Sequence, residues 1–332
     1  MFLLRKLLLF FLFLTVLGAA LFVLWAVRPL PMTGQGAIEF EVRAGSSARS
    51  AMRQMANAGV PANPWLMEAL ARLSGRGNRL KAGYYELKPG TSPHALIGQL
   101  VRGEQAQAAV TIVEGWTFRQ MREAIAAQPK LRHETKGLSD RELMQRIGAE
   151  HEHPEGLFFP DTYLYVKGST DVAIFRKAYA LMRERLQTVW DGRDPTLPYK
   201  SPYEALIMAS IIEKETGRGE DRGLVAAVFV NRLRIGMLLQ TDPTVIYGIG
   251  ERFDGNIRKR DLITDTPYNT YTRRGLPPTP IALPGADSLA AAFNPAQSDA
   301  LYFVARGDGT SHFSRTLEEH NRAVDRYQRG RR

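Results

Sequence analysis

The chain contains no cysteine, so disulfide staples, thiolate nucleophiles and cysteine-ligated metals are outside its chemistry. An oxidising exterior is compatible with that absence but not required by it. Histidine is scarce, and the one close pair, His151 and His153, has no further ligand at metal spacing, so both read as solvated loop residues. No motif points to a metal, a nucleotide or any other cofactor. The formal charge of +10 would suit nucleic acid, anionic lipid or an acidic polymer. However, part of the excess lies in the tail residues Arg326, Arg329, Arg331 and Arg332. The rest is scattered, with no basic helix interleaved with aromatics, so nucleic acid is not an expected partner. Long hydrophobic runs are also rare, and the sequence has one, Leu7 to Val27. It is uncharged and, at about 1.5 Å per residue, about 31 Å long, the thickness of a hydrocarbon core. Arg5 and Lys6 precede it, Trp25 sits near its far end, and Gly18, Ala19 and Ala20 lie inside it rather than forming a cleavage site after it. These features favour a retained single-pass anchor over a cleaved signal peptide. They place the N-terminus in the cytoplasm and the remainder outside, with Arg28 slightly weakening the charge asymmetry.

About three hundred residues remain, enough for two or three domains. Three segments share one pattern, strand, glycine, hydroxyl, helix: FEVRAGSSARSAMRQM from Phe40, YELKPGTSPHALIGQL from Tyr85 and TIVEGWTFRQMREAI from Thr111. Turns are expected at Gly45, Gly90 and Gly115, with Ser46, Thr91 or Thr117 capping the helix that follows. With a helix over Pro64 to Leu73, the first two units can close into a small α+β module that resembles the LysM-like glycan-binding domain. Glu155 to Tyr165 (EGLFFPDTYLY) is aromatic yet interrupted by glycine and proline, which predicts an irregular strand or a cleft wall, although clustered aromatics more often form core. At the C-terminal end, Leu301 to Ala305 and His312 to Ser314 predict a hairpin that completes the sheet. Thr316 with Glu319 predicts a capping box for a last helix, Leu317 to Tyr327.

Tyr203 to Gly217 (YEALIMASIIEKETG) carries the chemistry. Leu206 through Ile212 is apolar or small throughout, so this helix is buried on every side and ends in Glu213, Lys214 and Glu215. Desolvation and the negative end of the helix dipole both disfavour an ionised carboxylate at that terminus, and Lys214 opposes them. A raised pKa suits a general acid. Glu213 shares its face with Leu206, Ala209 and Ser210, where small side chains leave room for a substrate, and it is preferred over Glu215.

The strings ASIIEKET, NRLRIGMLLQTDPTVIYG, YNTY, GLPPTPI and FNPA, preceded by EGLFFPDTY and by the anchor, occur in one order. Together they closely resemble the endolytic murein transglycosylases of the MltG (YceG-like) family over nearly all of the chain beyond the span. The resemblance implies an α+β fold: an anchor over 1–28, a LysM-like module over 38–105 and a mixed α+β catalytic domain over 110–332. It implies a lyase of the inner membrane with its catalytic domain in the periplasm, acting on peptidoglycan glycan strands and placed to meet cell-wall synthases. The reaction would cut the β-1,4 bond between N-acetylmuramic acid and N-acetylglucosamine, leave a 1,6-anhydro end and terminate nascent strands. Glu213 matches the family's catalytic glutamate. Gln240, Asp242, Thr244, Tyr268, Asn269 and Tyr271 would line the groove as hydrogen-bond partners, with Glu155 and Asp161 supporting them. Two other readings are a water-using glycoside hydrolase, pairing Glu213 with Asp242 or Glu215, and a non-catalytic wall-binding scaffold.

Overall fold

The computed structural model describes residues 2–32, 34, 36–150, 152–217 and 219–330, so His151, Arg331 and Arg332 lie outside it. The chain divides into two compact units, Met1–Ala108 and Ala109–Arg332.

The first unit begins with helix α1 (Phe2–Val27), long and apolar enough to cross a membrane. Its last turn is different in kind. Ala26 is buried, Phe22 and Trp25 pack against the unit's core, and the Leu30 N–H donates to the Thr91 carbonyl at 3.0 Å. The apolar run therefore ends inside a folded body instead of in a linker. Strands β1 (Ile38–Val42) and β2 (Gly83–Leu87) pair antiparallel, with Phe40 opposite Tyr85 and their rings stacked at 5.8 Å. Helices α2 (Ala48–Asn57) and α3 (Pro64–Leu73) lie between the strands, and α4 (Pro93–Arg102) follows. A chain starting at residue 29 loses Ala26 and its neighbours from this core and should be less stable in this unit by about 1–3 kcal/mol than one starting at residue 21. Urea unfolding of the two chains, followed by proteolysis within residues 38–105, measures the difference.

Two of the expected caps need correction. Turns occur at Gly45, Gly90 and Gly115, all with positive φ. The capping hydroxyl, however, is two residues past each glycine: Ser47 accepts from the Ser50 N–H, Ser92 from Ala95 and Thr117 from Gln120. Ser46 instead accepts from the Gln54 side chain, and Thr91 offers its carbonyl to Leu30. Where two hydroxyls are adjacent, the one nearer the helix can reach the free N–H groups of its first turn.

The second unit opens within β3 (Gln107–Thr111), which pairs with β4 (Thr162–Val166). Around them are α5 (Phe118–Ala126), α6 (Asp140–Ile147) and the long α7 (Asp171–Asp191). The aromatic segment before β4 is core: Phe158 is fully buried, stacked on Phe118 at 5.0 Å and edge-on to Phe175 at 5.9 Å. Helix α8 (Pro202–Glu215) runs through the centre and packs against α7, α9 (Arg222–Arg234), α10 (Asp242–Ile249) and α12 (Ala286–Phe293), with the short α11 (Lys259–Ile263) in between in sequence. Among the described residues the strands form three separate two-stranded sheets. Strands β5 (Tyr302–Ala305) and β6 (Ser311–Ser314) thus make their own hairpin instead of completing a larger sheet. The Thr316/Glu319 capping box opens α13 (Leu317–Val324), which passes into a π-helical turn over Asp325–Arg329. The architecture is mixed α+β, with one apolar N-terminal helix.

Candidate active site

Helix α8 is set by its sequence at both ends. Ser201 caps its N-terminus and Pro202 occupies the first turn, where a missing N–H is harmless. Residues 205–212 are all buried. At the far end Thr216 turns extended, its hydroxyl donating to the Ile212 carbonyl at 2.8 Å. The last three side chains, about 100° apart around the axis, then reach three different parts of the unit. Glu213 Oε2 accepts from the Gly285 N–H at 3.0 Å, Lys214 Nζ donates to the Gly115 carbonyl at 3.2 Å, and Glu215 Oε1 accepts from the Thr241 hydroxyl.

Glu213 is half-buried. Its electrostatic setting differs from the sequence expectation in one respect. The negative end of α8 does lie beneath it, but Gly285 is the N-cap of α12, so the positive end of a second helix dipole meets the same carboxylate with opposite sign. The small-residue face behind it is also not open to a substrate. Ser210 is fully buried; its hydroxyl accepts from the Ile281 N–H at 3.0 Å and donates to the Ile207 carbonyl at 2.7 Å. The segment from Thr279 to Gly285 fills that face. It is held on one side by Ser210 and Glu213, and on the other by Leu283 exchanging backbone hydrogen bonds with Gly115 and Trp116 at 2.9 and 2.7 Å. Gly156 lets the segment in: a Cβ there would fall 2.4 Å from that of Pro280. Ser210→Ala strands the Ile281 N–H in the core and should cost about 1–3 kcal/mol, measured as a lowered urea midpoint with Glu213 intact.

Beside Lys214 is a groove of about 720 Å³, with Thr117, Glu155, Pro243, Ile246 and Tyr247 among its walls. Glu155 is buried. It accepts from the Phe118 N–H at 2.9 Å and the Tyr247 hydroxyl at 3.1 Å, yet burial pushes its carboxyl up to about 7. Tyr247 lies 4.9 Å from the Tyr268 ring, and Tyr268 in turn shares a 2.8 Å hydrogen bond with Thr279, so Glu155 connects by contacts to the segment that bonds Glu213.

A second cluster surrounds Glu215, which burial raises above the usual carboxylate range while the Thr241 hydroxyl pulls it down. Tyr271 donates to Asp242 here, and Gln240 is exposed with a left-handed backbone at φ 50°. Thr244 and Asn269 are buried and turned inward. Thr244 donates to the Thr241 carbonyl, and Asn269 gives its amide to the carbonyls of Asp261, Leu262 and Thr264 while accepting from the Tyr271 N–H. Both positions face protein and not the groove, because loops without ladder partners need side chains to satisfy their backbone. Asp161 is exposed and accepts from its neighbour's N–H at 2.6 Å, at the start of β4. The structure therefore brings Glu155 and Tyr268 toward Glu213's surroundings, gathers Gln240, Asp242 and Tyr271 near Glu215, and leaves Asp161 apart from both.

Glu114 is the residue that sequence reasoning missed. Its carboxylate lies against Gly285, the residue whose N–H bonds Glu213; a Cβ on Gly285 would fall 1.9 Å from Glu114 Oε1. Partial desolvation by its neighbours and then the charge of Glu213 hold the exposed Glu114 above the usual carboxylate range, Arg222 acting the other way. One signal was readable: of the three strand-glycine-hydroxyl units only the third has a carboxylate before its glycine, Glu114 where the others have Ala44 and Pro89. Among the described residues no cluster of histidine and carboxylate side chains could hold a metal ion.

The chain matches the YceG-like family over residues 40–326. It is 32% identical to a Bacillus subtilis protein named endolytic murein transglycosylase, over 93% of this chain and 90% of that one. It is 28% identical to a Streptococcus pneumoniae (strain D39) protein of the same name, over 91% of this chain and 60% of that longer one. A 2.6 Å crystal structure of a yceG-like protein from Listeria monocytogenes superposes with a TM-score of 0.54 at 32% identity, covering 87% of this chain and 99% of that one. The match takes in α8 with its terminal Glu213, the segment that bonds it and the strands of the first unit, and the chain belongs to the YceG-like family.

Proposed function

We propose that the protein is a lytic transglycosylase of peptidoglycan, with Glu213 as its acid and base. The carrying observation is a half-buried carboxyl at the end of a helix buried over residues 205–212, fixed by one backbone N–H, with its neighbour Lys214 on the wall of a groove. The names of the bacillary and streptococcal relatives supply the substrate class. Protonated Glu213 gives its proton to the glycosidic oxygen between N-acetylmuramic acid and N-acetylglucosamine, and the C1–O bond breaks. The C6 hydroxyl of the same muramic residue closes on C1, and its proton returns to the Glu213 carboxylate. The acid is regenerated, no water is consumed, and the product is a 1,6-anhydro end. Hydrolysis of the ordinary kind needs a second carboxylate as nucleophile or base. The partners expected for that role, Glu215 and Asp242, are committed to Thr241 and Tyr271.

The remaining assignments follow from this reading. Tyr268 and Tyr271 present hydroxyl-bearing rings suited to sugars, Gln240 and Asp242 extend the polar wall, and Thr244 and Asn269 hold its loops. The β1-α2-α3-β2 arrangement of the first unit supports a LysM-like module at the wall. Helix α1, with Arg5 and Lys6 ahead of its apolar run, supports a single inner-membrane span with the enzyme outside, where cutting a strand under synthesis would end its elongation beside the cell-wall synthases. The test is mass spectrometry of purified glycan strands after digestion. Anhydro-ended fragments, lighter by one water, about 18 Da, than their reducing counterparts, are expected, and reducing ends alone would overturn the reaction.

A further inference from the structure

We infer that Glu114 is a second catalytic carboxylate, which faces the reacting sugar beside Glu213 and stabilises the positive charge that develops as the glycosidic bond breaks. The inference rests on the reaction proposed above. Gly285 is the geometric argument. Its backbone, at φ −79° and ψ 179°, is one that any residue adopts, so no conformational need selects glycine there. What a side chain would meet is the Glu114 carboxylate, with Oε1 at 1.9 Å and Cδ at 2.2 Å from the added Cβ. The missing Cβ is the space that carboxylate occupies. The same Gly285 donates its N–H to Glu213, so one residue carries both acids, one on its nitrogen and one on its α-carbon.

Glu114 is also differently held from the three glutamates described above. Glu213, Glu215 and Glu155 each accept a hydrogen bond from a named donor, whereas among the described residues none ties down the carboxylate of Glu114, which remains exposed. Nearby, Arg222 is spent on Asp287 at 2.9 Å, and Lys214 on the Gly115 carbonyl. In the free protein, water screens Glu114. A bound glycan strand displaces that water, and a fixed negative charge then acts through a lower dielectric on the oxocarbenium-like carbon. Glu114 forms no bond and moves no proton, so the balance of the reaction is unchanged.

The test is a cycle of Glu114→Gln, Gly285→Ala and their combination, assayed on glycan strands by anhydro-product release, with circular dichroism as the check on folding. Glu114→Gln should lower kcat about 10²-fold with KM within a factor of two, and Glu114→Asp should recover part of the loss. Gly285→Ala keeps the N–H for Glu213 but evicts the Glu114 carboxylate, so it should reproduce most of the loss with both acids still present. The combined variant should be no worse than the poorer single one, because both changes remove one interaction. A Gly285→Ala effect that is undiminished in the Glu114→Gln background would overturn the inference. So would a Glu114→Gln variant with wild-type kcat, or one affected in KM alone. Anhydro ends from the wild type with an unaltered Glu114→Gln rate overturn this role only, whereas reducing ends from the wild type overturn the reaction and this role with it.

Discussion

Glu213→Gln should release no anhydro-ended fragments from glycan strands, a loss of at least roughly 10²–10⁴-fold, the usual contribution of a positioned general acid or base. The amide retains an oxygen for the Gly285 N–H that Glu213 now accepts at 3.0 Å. It also retains the side-chain volume, so the melting temperature should stay within a few degrees of the wild type. What the amide cannot do is give up a proton to the glycosidic oxygen or take one from the C6 hydroxyl. Glu215→Gln is the matched control. It lies two residues on around the same helix and its carboxylate accepts from the Thr241 hydroxyl, as an amide oxygen also can, so its rate should fall less than about tenfold. Equal losses at the two positions would mean that the end of α8 acts only as a structural plug, and continued anhydro release by Glu213→Gln would remove the acid from the mechanism.

The unequal legibility of these two glutamates has a physical cause. Helix α8 could be read because burial on every side needs an unbroken apolar run, and Leu206 through Ile212 supplies one. Its terminal charges therefore had to emerge where the core ends. Which way each one turned could not be read, because that depends on segments distant in sequence: the Gly285 N–H, the Gly115 carbonyl and the Thr241 hydroxyl. The expected opening beside Ser210 failed for the same reason, since small side chains leave room that the Ile281 segment takes. Thr244 and Asn269 suggested a groove because they are polar residues in loop-like strings, but a buried loop spends its own side chains on backbone groups that have no ladder partner. Sequence patterning shows that a polar residue is present and not whether the chain itself consumes it. Glu114 had the opposite fate. Its only mark in the sequence is being the one carboxylate before a glycine among the three units, and the contact with Gly285 is what sets it beside the acid.

A melting-temperature profile from pH 5 to pH 8 should separate the wild type from Glu155→Gln by about 10 °C at its alkaline end. Burial lifts the Glu155 carboxyl from the ordinary 4.5 to about 7, with the Phe118 N–H and the Tyr247 hydroxyl pulling only partly the other way. The folded protein therefore holds this proton more tightly than the unfolded chain does. The sign follows directly: the stability linked to Glu155 is fully present below about pH 4.5 and is lost as the pH rises through about 7. The loss amounts to roughly 3 kcal/mol, at about 1.4 kcal/mol for each unit of displacement. For a unit of this size each kcal/mol moves the melting temperature by about 2–4 °C. Glutamine fills the same space, can accept from Phe118 and has no proton to lose, so the two profiles should meet near pH 5 and diverge above it. Other groups titrate in the same range, but they are common to both proteins and cancel in the difference. Glu155 joins the start of α5 to Tyr247 on α10, so the desolvation cost of ionising it falls on the walls of the groove, and local opening there, which lets water reach the carboxylate, should rise with pH. Amide exchange at Phe118 should quicken with pH in the wild type beyond the intrinsic chemical rate, and should not in Glu155→Gln. Parallel melting profiles would place the Glu155 carboxyl in water and remove it as the clamp between these two helices.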